Sequence, residues 1–372
     1  MSKKIITVVG TRPNFMKVAP ILAELRKDAE AFTPFLVHTG QHYDYQMSEI
    51  FFEELELAPP DAYLDITRDH PAQQTADIIA KFDDVLVGED PDLVLVVGDV
   101  TSTAACALAA SKRNVAIAHV EAGLRSRDRR MPEELTRLVT DALSDLLFTY
   151  SDDATANLHA ENVPAACIFQ TGNVMIDTLF RFREKAAHST ILDELGLDSK
   201  GYILATLHRP SNVDDKQTLS GLLGALDEIQ REIPMAFQLH PRTKARIETF
   251  GLQGQLDAMV NVRTIGPQGY LDIVKLQENA RLALTDSAGI AEETTALQVP
   301  CLTLRENTER PVTIEQGSNQ LVGCDPQKIV STARAALSEN RASYPVPPLW
   351  DGHSAERLVE VLRQDIPRRL TY

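Results

Sequence analysis

Short apolar runs alternate with amphipathic stretches along most of the chain. In the first half, apolar and β-branched runs predict six strands, at residues 5–10, 35–40, 93–99, 115–123, 146–151 and 167–172. Helical periodicity lies between them, at residues 14–27, 73–88, 102–113 and 132–144. The run DLVLVVGD at residues 92–99 is apolar on both faces, as parallel strands covered by helices on both sides are. The pattern therefore predicts an α/β fold.

The alternation starts again after a helical stretch at Val174–Ala187. It predicts six more strands, at residues 202–207, 235–240, 262–266, 282–285, 299–304 and 320–323. Residues 184–201 (EKAAHSTILDELGLDSKG) are polar and rich in turn residues, which predicts a linker. A chain of 372 residues also exceeds the size at which one core keeps growing. We therefore predict two Rossmann-like domains facing across a cleft, at residues 1–178 and 179–352.

Charge and composition narrow the classes of function. The formal net charge of −16 disfavours nucleic acid or an anionic membrane as a partner. The four cysteines are scattered and form no CxxC pair or His/Cys cluster, so we expect neither a disulfide framework nor a structural zinc site. No apolar run approaches the ~20 residues of a membrane helix. The chain starts directly with a strand pattern rather than a signal peptide, and we expect a cytoplasmic protein.

Two basic residues follow the first predicted strand. In open α/β sheets, ligands bind outside the carboxyl ends of the strands. GTRPNFMK, residues 10–17, brings Arg12 and Lys17 to a helix N-terminus, where backbone N–H groups and a guanidinium suit a phosphate. The alternative is a solvated basic turn.

Three acidic residues in the first half are candidates for proton transfer. Asp99 and Glu121 each follow an apolar strand, where a carboxylate is uncommon without a partner or a role. Glu133 follows Pro132 at a predicted helix start, where simple capping of the helix is the alternative.

Two histidines occupy equivalent positions in the second half. TLHRPSNVDD places His208 and Arg209 directly after one strand, and QLHPRTK places His240 and Arg242 after the next. A single histidine at a strand end is often only structural. Two histidine–arginine pairs at equivalent positions favour an anion-binding site.

The segment TDSAGIAEE, residues 285–293, combines small residues with two acids. Ser287 and Gly289 can present a hydroxyl and backbone N–H groups to a diphosphate at a helix start. Glu293, one turn later, can accept hydrogen bonds from ribose hydroxyls. The combination predicts a nucleotide, while an ordinary capped helix start is the alternative.

Eight segments in order resemble the UDP-N-acetylglucosamine 2-epimerases. They are GTRPNFMK, GDVTST, HVEAGLRS, MPEE, TGNVMID, TLHRPSNVDD, TDSAGIAEE and TERP, and they extend from about residue 5 to 325. The resemblance implies a GT-B-like fold with two Rossmann-like domains, and a C-terminal helix within residues 353–372 that packs back on the first domain. A homodimer is also implied.

The resemblance implies interconversion of UDP-GlcNAc and UDP-ManNAc without a cofactor. UDP is eliminated to give a 2-acetamidoglucal and is then added back after protonation on the other face of C2. By motif, the catalytic residues are Asp99, Glu121, Glu133 and His208. The remaining motif positions, together with the basic residues described above, make up the substrate-binding set: Arg12, Lys17, Arg209, His240, Gln268, Ser287, Ala288, Gly289, Glu293 and Arg310. Gln268 lies in GPQGYLDI, which matches a uracil-binding turn.

Two features qualify the match. Ala288 stands where relatives commonly have glycine, which is tolerable if this residue has a negative φ. In bacterial members a second UDP-GlcNAc acts as an activator, and Gln41 and His42 match that region. Alternative functions are a hydrolysing epimerase that releases UDP and ManNAc, an epimerase of a related UDP-2-acetamido sugar, a GT-B glycosyltransferase, and a UDP-sugar sensor without catalysis.

Overall fold

The chain divides into two compact units. The computed structural model describes residues 2–40, 53–68, 70–339, 343–364 and 366–367, except for the side chain of Arg12. Unit 1 comprises Met1–Arg181 and Pro348–Tyr372, and unit 2 comprises Phe182–Pro347. Each unit is built on a parallel β-sheet with helical connections. The predicted α/β fold with two Rossmann-like domains is therefore confirmed.

The sheet of unit 1 has seven strands. They are β1 (Lys3–Val9), β2 (Phe32–His38), β3 (Ala62–Tyr63), β4 (Leu93–Val97), β5 (Ala116–Val120), β6 (Leu146–Thr149) and β7 (Ile168–Gln170). All pairs are parallel, in the order β3-β2-β1-β4-β5-β6-β7. Every residue of β4 and β5 is buried, which explains their uninterrupted apolar sequences. The chain order reverses between β1 and β4, and ligands of open α/β sheets bind at such a reversal.

Six α-helices whose bounds lie within the described residues connect these strands or follow them. They are α1 (Arg12–Lys27), α2 (Pro71–Glu89), α3 (Thr101–Lys112), α4 (Pro132–Leu143), α5 (Asp152–Ala160) and α6 (Val174–Ala187). Ile78 and Phe82 of α2 pack with Ile6, Val94 and Ile117 of the sheet in one core cluster. Burial of these aliphatic side chains attaches the helix layer to the sheet.

The sheet of unit 2 has six strands. They are β8 (Ile203–Leu207), β9 (Met235–Leu239), β10 (Val262–Ile265), β11 (Leu282–Thr285), β12 (Cys301–Thr303) and β13 (Asn319–Leu321). The parallel order is β10-β9-β8-β11-β12-β13, so the reversal lies between β8 and β11. His208 follows β8 and Asp286 follows β11. The two residues therefore meet at the carboxyl edge where ligand binding is expected.

Nine further helices belong to unit 2 within its described residues. They are α7 (Ile191–Leu195), α8 (Pro210–Val213), α9 (Lys216–Gln230), α10 (Pro241–Phe250), α11 (Gln253–Asp257), α12 (Tyr270–Asn279), α13 (Ala288–Ala296), α14 (Val312–Glu315) and α15 (Pro326–Ser338). The predicted linker at residues 184–201 is wrong in part. Its residues Ile191, Leu192 and Leu197 are buried in a core cluster with Tyr202 of unit 2. The polar composition concealed three apolar positions that face this core.

The last helix, α16 (Ser354–Gln364), belongs to unit 1 and packs on α1. Its Leu358 and Leu362 are fully buried. Asp177 of α6 accepts hydrogen bonds from the backbone N–H groups of Ser354 and Ala355, at 3.1 and 2.6 Å. A side chain from another helix thus satisfies the N–H groups that the start of α16 leaves open.

Several predicted strands were too long at their carboxyl ends. The prediction for 93–99 ran past Val97, and that for 115–123 ran past Val120. The strand patterns continue into turns in which Gly98, Glu121 and Gly123 adopt positive φ. Because this conformation is not that of a β-strand, the hydrogen-bonded pairing of the strands ends there. The short strand β3 was not predicted. No helix in the described part of the chain combines the length and apolar character needed to cross a membrane.

Candidate active site

The turns after β4 and β5 place Asp99 and Glu121 at the carboxyl edge of the unit 1 sheet. The first turn passes through Gly98, whose φ is +67°, and Glu121 itself has φ +69°. A left-handed conformation is unfavourable for residues with a Cβ atom, and such strain concentrates at functional sites. The backbone at Glu121 thus supports a functional role for this residue.

Glu121 is paired with Lys17 of α1. The glutamate is 3% exposed, and its Oε2 lies 2.5 Å from Lys17 Nζ. Its Oε1 is buried and has no hydrogen-bond partner among the described residues. A buried carboxylate oxygen without a donor is energetically unfavourable. In this structure Lys17 forms an ion pair with Glu121, so phosphate binding by Lys17 stays a prediction.

Asp99 is held by an arginine that the sequence patterns did not single out. Arg137 of α4 forms an ion pair with Asp99 through Nη1, while its Nη2 lies 2.7 Å from Glu134 Oε2. Its side chain is 1% exposed, whereas that of Asp99 is 22% exposed. The planar guanidinium bridges two carboxylates in a fixed geometry. The spacing of three residues between Glu134 and Arg137 was the available signal, since such residues share one helix face.

The Glu134 carboxylate is occupied by hydrogen bonds within the protein and is not exposed to a ligand site. It accepts hydrogen bonds from the backbone N–H groups of Ser126 and Arg127, at 2.8 and 2.9 Å. Burial raises the pKa of Glu134, but Arg137 and the two N–H groups outweigh this effect and lower the pKa overall. The two consecutive glutamates of MPEE therefore have different environments. Glu133 is only partly buried and is the one that reaches a pocket.

A pocket of about 600 Å³ lies within unit 1 at the reversal of strand order. Asp99 and Glu133 both line it, together with Gly10, Thr11 and Arg68. Arg68 pairs with Asp77 at 3.1 Å and is more than half exposed. The structure thus brings together two of the three predicted catalytic carboxylates, from different elements, at one cavity.

The turn after β1 is already capped from within. Asn14 Oδ1 accepts hydrogen bonds from the N–H groups of Gly10 and Thr11, at 3.1 and 3.0 Å. In the turn that was predicted to bind phosphate, the N–H groups of Gly10 and Thr11 therefore already donate to Asn14. The side chain of Arg12 lies outside the described residues, and its phosphate contact stays a prediction.

His208 is oriented by Asp286 in unit 2. Nδ1 of His208 lies 2.9 Å from Asp286 Oδ1. Asp286 is fully buried, and it also accepts hydrogen bonds from the N–H groups of His208 and Arg209 and from Asn212 Nδ2. Burial raises the pKa of Asp286, but His208 and these donors outweigh burial and leave the pKa below its usual value. With Nδ1 on the carboxylate, Nε2 is the imidazole nitrogen left for a ligand. Asp286 lies within TDSAGIAEE, but the sequence pattern did not predict it as a site residue.

His240 and Arg209 lie near His208. The rings of His208 and His240 are 5.4 Å apart between centroids. His240 is exposed and caps α10 by accepting from the Arg242 N–H at 3.2 Å. Arg209 Nη2 is 3.7 Å from Glu309 Oε1. The structure therefore gathers one predicted catalytic residue, His208, and two predicted substrate-binding residues, His240 and Arg209, at one edge of unit 2.

The start of α13 has the geometry of a capped helix. Ser287 is its N-cap, with Oγ 3.5 Å from the Ile290 N–H. Ala288 is the first helical residue and is absent from the described residues with positive φ. The methyl group that replaces a hydrogen there is therefore tolerated by the backbone. Diphosphate binding by Ser287, Ala288 and Gly289 stays a prediction.

Glu293 is buried between α12 and α13. Its oxygens accept hydrogen bonds from Tyr270 Oη at 2.9 Å and from Gln277 Nε2 at 2.6 Å. Burial raises the pKa of Glu293 to about 7 despite these two donors, with nearby Glu292 adding to the rise. The predicted ribose contact stays a prediction, because the carboxylate is 4% exposed in this structure.

Arg310 belongs to a buried charge network. Its Nε lies 2.8 Å from Glu292 Oε1, and its Nη1 pairs with Glu309. Glu309 also pairs with Arg305 at 2.7 Å. Burial raises the pKa of Glu309, but Arg310 and Arg305 lower it by more. Substrate contact by Arg310 stays a prediction.

The remaining predicted residues give less information. Gln268 is partly exposed in the turn before α12, where Nε2 donates to the Gly266 carbonyl at 3.1 Å. Gln41 and His42, the predicted activator residues, lie outside the described residues. In the part of the chain that the structure describes, no three His, Cys, Asp or Glu side chains converge as a metal site requires.

Known proteins resemble this chain over nearly its whole length. The family model for UDP-N-acetylglucosamine 2-epimerase matches residues 23–363. A UDP-N-acetylglucosamine 2-epimerase homolog from Methanococcus maripaludis is 43% identical, over 97% of this chain and 99% of its own. A UDP-2,3-diacetamido-2,3-dideoxy-D-glucuronate 2-epimerase from Pseudomonas aeruginosa is 42% identical, over 90% and 93% of the two chains.

A solved structure has the same fold. The Methanocaldococcus jannaschii UDP-GlcNAc 2-epimerase, in complex with UDP-GlcNAc and UDP, matches with a TM-score of 0.90 and 39% identity. The match covers 97% of this chain and 100% of that one. The fold, the order of the motifs and the sequence identity all indicate the same family. The chain belongs to the UDP-N-acetylglucosamine 2-epimerase family.

Proposed function

We propose that the protein interconverts UDP-GlcNAc and UDP-ManNAc by inverting C2 of the sugar. One observation carries the proposal: Asp99 and Glu133, from different elements, line the same pocket of unit 1. Inversion removes a proton from one face of C2 and delivers one to the other face. Two acid–base groups beside one ligand are suited to this reaction.

The proposed reaction is an elimination followed by an addition. The C1–O bond breaks with its electron pair leaving on UDP, and oxocarbenium character at C1 makes the C2 proton acidic enough for a carboxylate to remove. The electrons of the C2–H bond form the C1–C2 double bond of a 2-acetamidoglucal. Protonation of C2 on the other face and return of UDP to C1 give the epimer. The cycle involves no net oxidation or reduction.

In unit 1, Asp99 and Glu133 exchange the proton with C2. Glu121 adds a third carboxylate whose Oε1 is buried and lacks a partner among the described residues. Its negative charge favours the cationic ring of the transition state. Because Oε1 is inaccessible in this structure, a direct contact with the sugar requires a local rearrangement when the substrate binds.

In unit 2, His208 and Arg209 neutralise the departing diphosphate. Asp286 holds the His208 ring and the backbone N–H groups of His208 and Arg209, so the His208 imidazole is preorganised. Preorganised donors stabilise developing negative charge better than mobile ones. Ser287 and Gly289 complete the diphosphate contact at α13, and Glu293 takes the ribose.

The product spectrum tests this proposal. Pure protein incubated with UDP-GlcNAc alone should form UDP-ManNAc until an equilibrium mixture is reached, with no free sugar. Accumulation of UDP and free ManNAc would instead establish the hydrolysing reaction. Sugar transfer to an acceptor would establish a glycosyltransferase, and binding of UDP-GlcNAc without any product would establish a sensor.

A related sugar nucleotide is a second candidate substrate. The P. aeruginosa relative, whose described substrate is a UDP-2,3-diacetamido-2,3-dideoxy-D-glucuronate, is nearly as similar as the M. maripaludis protein. Both sugars carry an acetamido group at C2, the carbon that the proposed chemistry inverts. Comparison of kcat/KM for the two sugar nucleotides decides between them. A value at least about 100-fold higher for UDP-GlcNAc, or about 2.7 kcal/mol, supports the first candidate.

A further inference from the structure

The two turns that carry Asp99 and Glu121 are joined through one buried pair of side chains. His119 lies on β5 and Asp141 lies on α4. Both are buried, at 0% and 3% exposure. Neither lines the pocket of unit 1, so neither is placed to touch a ligand there.

Each member of the pair holds a different turn. His119 Nε2 lies 2.8 Å from the carbonyl oxygen of Gly98, the residue before Asp99. A carbonyl can only accept, so this nitrogen carries the hydrogen. His119 Nδ1 lies 2.6 Å from Asp141 Oδ1. Asp141 Oδ2 accepts the Gly123 N–H at 3.1 Å, two residues after Glu121.

The pair is anchored by a further cation. Arg125 Nη2 lies 2.7 Å from Asp141 Oδ2 and 2.6 Å from Glu161 Oε2. Burial raises the pKa of Asp141, but His119 and Arg125 together lower it by more. Asp141 therefore stays charged and accepts from both sides, which makes it a firm support for the Gly123 turn.

The turn after β5 needs such support because its backbone is strained at Glu121. Gly98, Glu121 and Gly123 have φ values of +67°, +69° and +80°. For Glu121 this conformation is unfavourable, and it persists only where surrounding contacts require it. The hydrogen bond to Gly98 fixes the turn that carries Asp99, and the hydrogen bond to Gly123 fixes the turn that carries the strained Glu121.

We infer that the His119–Asp141 pair is a positioning device that sets Asp99 in register with Glu121. The inference rests on the proposed epimerase function. It assigns a role in the reaction to two residues that act through the backbone and not through the substrate. A purely structural pair would contribute to folding but would leave the chemistry of the folded fraction unchanged.

Two substitutions separate the two hydrogen bonds of His119. In H119N the shorter amide can donate to Asp141 but no longer reaches Gly98, whereas in H119Q the longer amide can reach Gly98 but loses Asp141. R125K is a milder change on the other side of Asp141. The control is Y202F in unit 2, which removes another buried hydrogen bond to a carbonyl, from Tyr202 Oη to Leu276 at 2.6 Å.

The measured quantity is the ratio of deuterium entering C2 of recovered UDP-GlcNAc to UDP-ManNAc formed, in D2O at early times. Loss of folded protein lowers both rates equally and leaves this ratio unchanged. For H119N we expect kcat per folded molecule to fall about 10- to 100-fold, as misplacement of a catalytic group does, and the ratio to change. We expect a smaller change in the same direction for R125K and none for Y202F.

The outcomes are distinct. Ratios equal to the wild-type value in H119N, H119Q and R125K would overturn the inference, even if all three variants are less stable. If H119N and H119Q do not fold, as judged by circular dichroism and UDP binding, R125K decides by the same ratio. A wild-type protein that neither exchanges nor epimerises would instead contradict the proposed function.

Discussion

At the scale of single residues, the candidate site depends on arginine geometry as much as on charge. Arg137 joins Asp99 to Glu134, and its side chain is 1% exposed. Asp99 is therefore oriented by a planar group that is buried and does not line the pocket. An ammonium can carry the same charge but cannot bridge two carboxylates with a planar fork.

The variant R137K tests this orientation. We expect kcat for epimerisation to fall about 10- to 100-fold, because the carboxylate of Asp99 loses its fixed direction. KM should change much less. R113K is the matched control, since Arg113 forms a comparable fork on Asp83 at the surface, far along α3 from the pocket. Equal kcat values for R137K and the wild type would contradict the proposed orientation.

Glu293 predicts a pH dependence of stability. Burial raises its pKa from 4.5 to about 7. The folded state therefore binds a proton more tightly than the unfolded state, and this contribution to stability is lost as the pH rises from about 4.5 to about 7. The full loss is on the order of 3 kcal/mol, at 1.36 kcal/mol per pKa unit.

The variant E293Q removes this titration. The difference in free energy of unfolding between E293Q and the wild type should shift in favour of the variant between pH 5 and pH 8, and then level off. Denaturant unfolding at several pH values measures it. A constant difference across this range would show that Glu293 titrates at the same pH in both states.

At the scale of elements, the chemistry is concentrated where strands end. The apolar runs predicted the strands well, and the residues directly after them include Asp99, Glu121 and His208. The strand ends were misjudged because hydrophobicity does not report the sign of φ, and the left-handed turn at Glu121 has no signal in its residue type. The sequence pattern likewise did not predict that Asn14 caps the turn after β1.

The turn after β1 also depends on close packing. A Cβ atom on Gly10 would meet Ser102 Oγ at 2.2 Å and Thr39 Oγ1 at 2.9 Å. G10A should lower the free energy of unfolding by roughly 1–3 kcal/mol through overpacking. G88A is the control, because a Cβ there meets nothing within 4 Å and replaces a helical glycine. It should raise stability by about 0.4–1 kcal/mol. Equal effects of the two variants in denaturant unfolding would contradict the packing argument.

At the scale of the whole molecule, the two-sheet plan followed from the repeated alternation of strands and helices. The buried partners Arg137, Asp141 and Asp286 were not predicted, because they act mainly through contacts between elements distant in sequence, and only the Glu134–Arg137 spacing gave a local signal. The net charge of −16 does not argue against a nucleotide by itself, because the residues proposed to bind UDP in unit 2 include His208, Arg209 and Arg310. Each of the three is also paired with a carboxylate, so local geometry and not a surplus of positive charge would bind the anion.

The central claim is that a carboxylate of this protein removes the C2 proton of UDP-GlcNAc. Proton NMR of UDP-GlcNAc incubated with the protein in D2O tests it directly. The account predicts that the C2–H signal disappears as UDP-ManNAc deuterated at C2 accumulates, and that D99N abolishes both changes while still binding UDP. UDP-ManNAc formed with its original C2 hydrogen, or a persistent C2–H signal with the wild-type protein, would contradict the account.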